Sequence, residues 1–230
     1  MRISFRAAAL ALSALVVSAA SLAQEPLAPT QASHGDNRAR TYEVKITNIT
    51  RGQTFTPILV ASHSPRIAFF ELGAPASDGL AVLAEDGSPA TLAAELAATG
   101  EAFDAQTIPG LLAPGASASV QVRARGRFDQ LSLAAMLIPT NDTFVALNSI
   151  TLPRFGAVAR TLVAYDAGSE PNDELCASIP GPRCGGQGSS PGGGEGYVYV
   201  SNGMHGIGDL SAAVYDWRNP VARVEIRRVD

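Results

Sequence analysis

The sequence predicts an all-β fold, an antiparallel β-sandwich with one or two short helices inserted. Three observations carry this reading. Glycine (22 residues) and proline (15 residues) are frequent, a bias toward tight turns joining short strands rather than toward long helices. Apolar and polar residues alternate with the period of a half-buried strand near both ends of the main segment. Between these ends lies a series of short apolar runs, each bounded by turn residues.

The first alternation places Tyr42, Val44, Ile46 and Asn48 opposite Glu43, Lys45 and Thr47. Pro57–Ala61 follows as a shorter and more buried strand. From Ala74 to Gly100 the period changes: Leu80, Val82 and Leu83, then Leu92 and Leu96, recur at helical spacing after Pro75 and Pro89, which predicts two short helices, the second closed by Gly100. Strands are then expected at Ser117–Val122, Leu131–Leu137, Phe144–Leu147, Val158–Tyr165, Gly196–Ser201 and Pro220–Val229. In the last of these, Ala222, Val224 and Ile226 face away from Arg223, Glu225 and Arg227, so one side is apolar and one charged.

At 230 residues, with 46% apolar and 17% charged residues, the chain can bury a sizeable core and fits one domain. The net charge of −4 gives no basic footprint, so neither a nucleic acid nor an anionic membrane surface is expected as a partner. The start of the chain has the marks of an export signal over residues 1–23: Arg2 and Arg6, an apolar run from Ala7 to Ala20, and small residues Ser21 and Ala23 before a cut at Gln24. No second long apolar run follows, so no transmembrane segment is expected after cleavage, and the expected location is secreted or periplasmic. Residues 24–40 read as a flexible leader, poor in apolar residues and broken by proline, and residues 41–230 as the domain.

In an exported chain the two cysteines, Cys176 and Cys184, are expected to pair within one loop. The alternative, a catalytic thiol, needs a histidine partner and a reducing compartment. The surrounding Gly181–Gly194 stretch, rich in glycine, serine and proline, is expected to be mobile.

Acidic residues gather in two strand-end loops, Pro139–Phe144 and Tyr165–Glu174. Hard cations such as calcium take six to eight oxygen ligands, which such loops can supply; solvated turn carboxylates are the alternative reading of the same spacing. A second constellation runs from His205 to Pro220 and holds His205, Asp209, Asp216 and Arg218. It reads either as a structured loop, with Trp217 covering apolar surface and Arg218 bridging loop oxygens, or as the site of an extracytoplasmic hydrolase using His205 with Asp209 or Asp216. The sequence holds no Gly-x-Ser-x-Gly elbow, no HExxH pair and no phosphate loop set between strand and helix, and no enzymatic activity is expected.

Several ordered motifs together resemble the spondin domain: Phe55–Val60, Phe70–Gly73, Leu83–Gly87, Met136–Phe144 (MLIPTNDTF), Tyr165–Glu170 (YDAGSE) and His205–Val224. The resemblance implies a C2-like sandwich with a calcium ion held by acidic residues at one end. The three metal positions of animal members match Asp142, Asp166 and Glu170. Two departures stand out: Glu170 where those members have aspartate, and Ser169 where threonine is usual. Animal spondins also carry a reelin-type domain before this one and thrombospondin repeats after it, and this sequence shows no counterpart of either. The resemblance therefore implies a calcium-binding binding or adhesion module, with an extracellular or envelope protein or glycan as partner.

Overall fold

A computed structural model describes residues 38–189 and 193–230. The expected export signal, the leader as far as residue 37, and residues 190–192 of the glycine-rich stretch lie outside the described residues. Among the described residues, no helix is long and apolar enough to cross a membrane.

The main strands are β1 (Arg40–Asn48), β3 (Ile58–His63), β4 (Ala102–Ile108), β5 (Ser117–Ala124), β6 (Gln130–Ile138), β7 (Thr143–Thr151), β8 (Ala157–Asp166) and β10 (Ala222–Arg228), with two-residue strands β2 (Thr54–Phe55) and β9 (Tyr199–Val200). They form one antiparallel hydrogen-bonded path in the order β4-β3-β6-β7-β8-β10-β1-β5, with β2 added to β6 and β9 to β8. The path curls around the larger of two apolar clusters. Val44 and Ile46 of β1, Val60 of β3, Leu133 and Leu137 of β6, and Val224 and Ile226 of β10 all enter the same cluster. Strands at the two ends of the path thus face one another through side chains, as the layers of a sandwich do. Side chains also join those ends directly: the Arg123 N–H of β5 donates to Asp104 Oδ2 of β4 at 2.7 Å, and Ser62 Oγ of β3 donates to the Arg123 carbonyl at 2.6 Å.

The two expected helices are α1 (Asp78–Asp86) and α2 (Ala90–Ala98). Ser77 caps α1, its hydroxyl accepting from the Leu80 N–H at 3.2 Å. Gly87 ends α1 at φ +70°, in the left-handed region where glycine is unstrained. A methyl group at Gly79 would lie 2.6 Å from the Leu92 Cα, so the absent side chain is what lets the helices touch. Glu95 of α2 accepts from the Gly79 N–H at 2.6 Å and from the Ser77 hydroxyl at 2.8 Å, placing a carboxylate on the positive end of α1. The pair packs Leu80, Leu83, Leu92 and Leu96 on the outer face of β3, β6 and β7, where Ala61, Ala134 and Ala146 leave room. With both faces covered, β6 is buried from Leu131 to Ile138.

Strand β4 was not expected, and neither was the short helix α3 (Ala212–Tyr215). Cys176 and Cys184 form the expected disulfide. The expectation of a wholly mobile stretch from Gly181 to Gly194 needs correction for its described part. The Gly186 N–H donates to the Ile179 carbonyl and the Gln187 N–H to the Ala177 carbonyl, both at 2.9 Å. A side chain at Gly186 would collide with the Cys176 carbonyl oxygen, and one at Gly188 with the Asp86 carboxylate. These glycines permit close packing as well as freedom.

A polar knot sits where two strands bulge. His63 is fully buried; its Nδ1 lies 2.8 Å from the Ser64 carbonyl, to which it donates, and its Nε2 lies 2.8 Å from Ser132 Oγ, from which it accepts. Ser132 Oγ also accepts from the Ser149 N–H at 2.8 Å. Burial pushes the His63 pKa below its ordinary 6.5, partly offset by the bond to Ser64. In the unfolded chain His63 takes up a proton as pH falls through about 6.5, while the folded chain resists until lower pH. Its stabilising contribution is therefore complete above that pH and is lost as pH falls toward the folded value. Compared with His63→Gln, the wild type should lose more of its urea midpoint between pH 8 and pH 5; equal losses would rule out this linkage.

Candidate functional site

The candidate site lies where β6, β7, β8 and β9 end together. Thr143 of β7 pairs with Asp166 of β8, so the turn before β7 and the loop after β8 meet one residue beyond the ladder. The Thr140 hydroxyl fixes the turn by donating to the Leu137 carbonyl at 2.5 Å. The Ala167 N–H then donates to the Asp142 carbonyl at 3.1 Å, locking the two loops.

Asp142 is completely buried. Its Oδ2 accepts from the Ser169 N–H at 2.7 Å, the Ser169 hydroxyl at 3.2 Å and the Glu170 N–H at 3.0 Å. Its Oδ1 has no hydrogen-bond partner among the described residues. Asp166 is 2% exposed; its Oδ1 accepts from the Gly168 N–H at 2.9 Å and its Oδ2 from Asn172 Nδ2 at 3.0 Å. Gly168, at φ +64°, could carry no side chain without striking the Tyr197 carbonyl. The two aspartates are close enough to share a hydrogen bond when one is protonated.

Desolvation dominates the electrostatics. Burial, reinforced by the neighbouring Asp142 charge, pushes the Asp166 pKa up to about 8, and burial raises that of Asp142 despite the donors around it. Tyr199, beside Asp166 and Glu195, is also raised, chiefly by burial.

The three carboxylates expected to act together are therefore not equivalent. Asp142 and Asp166 converge, whereas Glu170 meets Asp142 through its backbone N–H, its side chain being fully buried. Among the described residues, no three His, Cys, Asp or Glu side chains are arranged to hold a metal ion as they stand. The donor set nevertheless suits a hard cation: two buried carboxylates repel one another, and one of their oxygens is unpaired.

Two further carboxylates lie around this site: Glu85, which sequence reasoning left out of the acidic cluster, and Glu174, which it placed in the loop Tyr165–Glu174 without a role of its own. Glu85, on the last turn of α1, is 5% exposed and raised by burial, with Ser169 and Ser189 hydrogen-bonding to it and Asp142 nearby. Its signal was confined to the Leu83–Gly87 motif. Glu174 is 4% exposed at φ +58°, and its N–H donates to Asn141 Oδ1 at 3.1 Å.

A profile of the Spondin_N family matches residues 40–172, a span that takes in all three candidate ligands. The chain belongs to the Spondin_N family. A comparison with curated proteins finds none that matches the chain.

In this spondin domain the His205–Pro220 segment lies beyond the matched span, and its geometry is that of a structured loop. The Glu174 carboxylate accepts from the backbone N–H groups of His205, Gly206 and Ile207 at 2.5, 2.6 and 2.9 Å. The His205 ring is half exposed, its Nδ1 3.7 Å from the same carboxylate. Asp209 accepts from the Cys176 N–H at 2.9 Å, and Asp216 accepts from the Met204 N–H at 3.1 Å while pairing with Arg218. Both aspartates considered as partners of His205 thus hold backbone in place. Trp217 is 8% exposed and belongs to the main core.

Proposed function

We propose that this spondin domain is a calcium-stabilised, extracytoplasmic binding module, and that Asp142, Asp166 and Glu170 hold the ion. The observation that carries the reading is the buried Asp142–Asp166 pair, with its unpaired Oδ1 and raised pKa values. A cation there supplies the charge that allows both carboxylates to ionise away from water. Asp142 and Asp166 already face one another, and the buried Glu170 carboxylate completes the set. Because Asp142 also binds the backbone of the Ser169–Glu170 loop, cation binding and loop order are coupled. The family supports a binding or adhesion role toward a protein or glycan, and the oxidised cysteine pair is in keeping with the envelope or extracellular space.

The alternative, a hydrolase built on His205, has less support, because Asp209 and Asp216 are engaged with backbone N–H groups rather than with the imidazole.

Thermal unfolding in EDTA against millimolar calcium tests the calcium reading. A ligand that binds only the folded state at a hundred times its Kd adds about 2.7 kcal/mol, which corresponds to roughly 5–10 °C for a domain of this size. An unchanged Tm together with no calcium by elemental analysis would remove the reading.

A further inference from the structure

At the end of the sheet remote from Asp142, the structure places an unusual combination of rings and guanidinium groups. Asp142 follows the end of β6; the cluster surrounds its beginning, about 30 Å away for nine residues at roughly 3.3 Å each. Phe103 of β4 and Phe128 of the β5–β6 turn stack at 5.7 Å between centroids, with 27° between their planes. The Arg125 guanidinium carbon lies 4.7 Å from the Phe103 centroid, that of Arg127 4.7 Å from Phe128, and that of Arg123 6.0 Å from Phe103. Arg66 joins from the loop after β3.

Three of these arginines touch carboxylates. Glu101 pairs with Arg66 at 3.4 Å and Arg127 at 2.6 Å, and Asp104 pairs with Arg123 at 3.6 Å. Their side chains remain 74%, 48% and 64% exposed. Arg125 is also exposed and is held by its ring. A guanidinium has five N–H donors, so one carboxylate contact leaves most of them directed outward. Stacking on phenylalanine fixes the plane of the fork beforehand, which reduces the entropy lost when an oxyanion is gripped.

We propose that this face binds an anionic polysaccharide, its sulfate or carboxylate groups gripped by Arg123, Arg125, Arg127 and Arg66. The overall charge of −4 does not oppose this, because the four arginines outnumber the Glu101 and Asp104 carboxylates among them and the acidic loops lie several Debye lengths away at physiological salt. The same geometry disfavours two other polyanions. A single-stranded nucleic acid is met best by free aromatic faces on which bases stack, and here the rings stack on one another and under guanidinium groups. An anionic membrane is met best by protruding apolar side chains beside the cations, and Phe103 and Phe128 are only partly exposed. The proposal does not depend on whether calcium binds at the opposite end.

The test uses the mature chain and fluorescent heparin as the probe, with uncharged dextran and vesicles of phosphatidylcholine and phosphatidylserine as comparison ligands. Binding to heparin that weakens steeply with salt is expected, with none to dextran. Arg125→Gln combined with Arg127→Gln should weaken heparin binding by about tenfold or more. Arg223→Gln combined with Arg227→Gln, on the outer face of β10, should leave it within about twofold. Phe103→Leu, which keeps the apolar contact but removes the ring, should weaken binding several-fold at unchanged Tm. No heparin binding at low salt, equal effects of the two double variants, or binding to the vesicles but not to heparin would each overturn the proposal.

Discussion

Phe144→Ala should lower the unfolding free energy by about 3–5 kcal/mol, the range for deleting a buried aromatic ring. Phe144 is fully buried and lies two residues after Asp142. Its ring meets Phe70 edge-on at 5.3 Å and Tyr165 at 5.7 Å, in the cluster that seats the two helices on the sheet. The backbone of β6, β7 and β8 leaves little scope for collapse into the void, so the upper part of the range is expected. The helices should loosen first. Hydrogen exchange should rise in α1 and α2 more than in β1 and β10, whose side chains fill the other core. A loss below about 1 kcal/mol, or exchange rising uniformly, would show that the outer layer does not depend on this ring.

Asp142→Asn separates charge from shape. The amide oxygen can still accept from the Ser169 and Glu170 N–H groups that now bind Oδ2, while the negative charge is gone. In EDTA the variant should be as stable as the wild type or slightly more so, since repulsion of Asp166 by its neighbour is relieved. In calcium the difference should be large: an affinity lowered by about a hundredfold or more, equivalent to roughly 2.7 kcal/mol, and most of the calcium-induced rise in Tm lost. Titration calorimetry with calcium alone measures this directly. Wild-type affinity in Asp142→Asn would remove this residue from the ligand set.

The parts of the fold legible in the sequence are those in which one physical cause sets the pattern. Strands β1 and β10 alternate because one face enters the core and the other meets water. The helices α1 and α2 could be placed because leucines recur at helical spacing after prolines, with Gly100 behind the second. Strand β4 escaped notice because only Ile108 is buried in it, so Ala102–Thr107 carry no alternation. The candidate site was legible as composition, since acidic residues cluster in both loops, but its burial was not. Nothing in the local sequence distinguishes Asp142, wholly enclosed, from a solvated turn aspartate. The burial of Glu85 and Glu174 was hidden for the same reason: their surroundings come from Ser169 and Ser189 and from the backbone of residues 205–207, remote in the chain. Charge summed over the chain likewise conceals the arginine cluster around the start of β6.

The bridge between Asp104 and the Arg123 N–H bears on how the protein meets other chains. An outermost strand normally offers a row of unsatisfied donors and acceptors onto which a foreign strand can be zipped. Here one of those donors is capped by a side chain from the opposite end of the path, and the Arg123 carbonyl is taken by Ser62. Recognition by strand addition, and the runaway self-templating that leads to fibrils, are both discouraged at this point of β5. At this point of β5, contact with another chain falls to side chains rather than to the backbone.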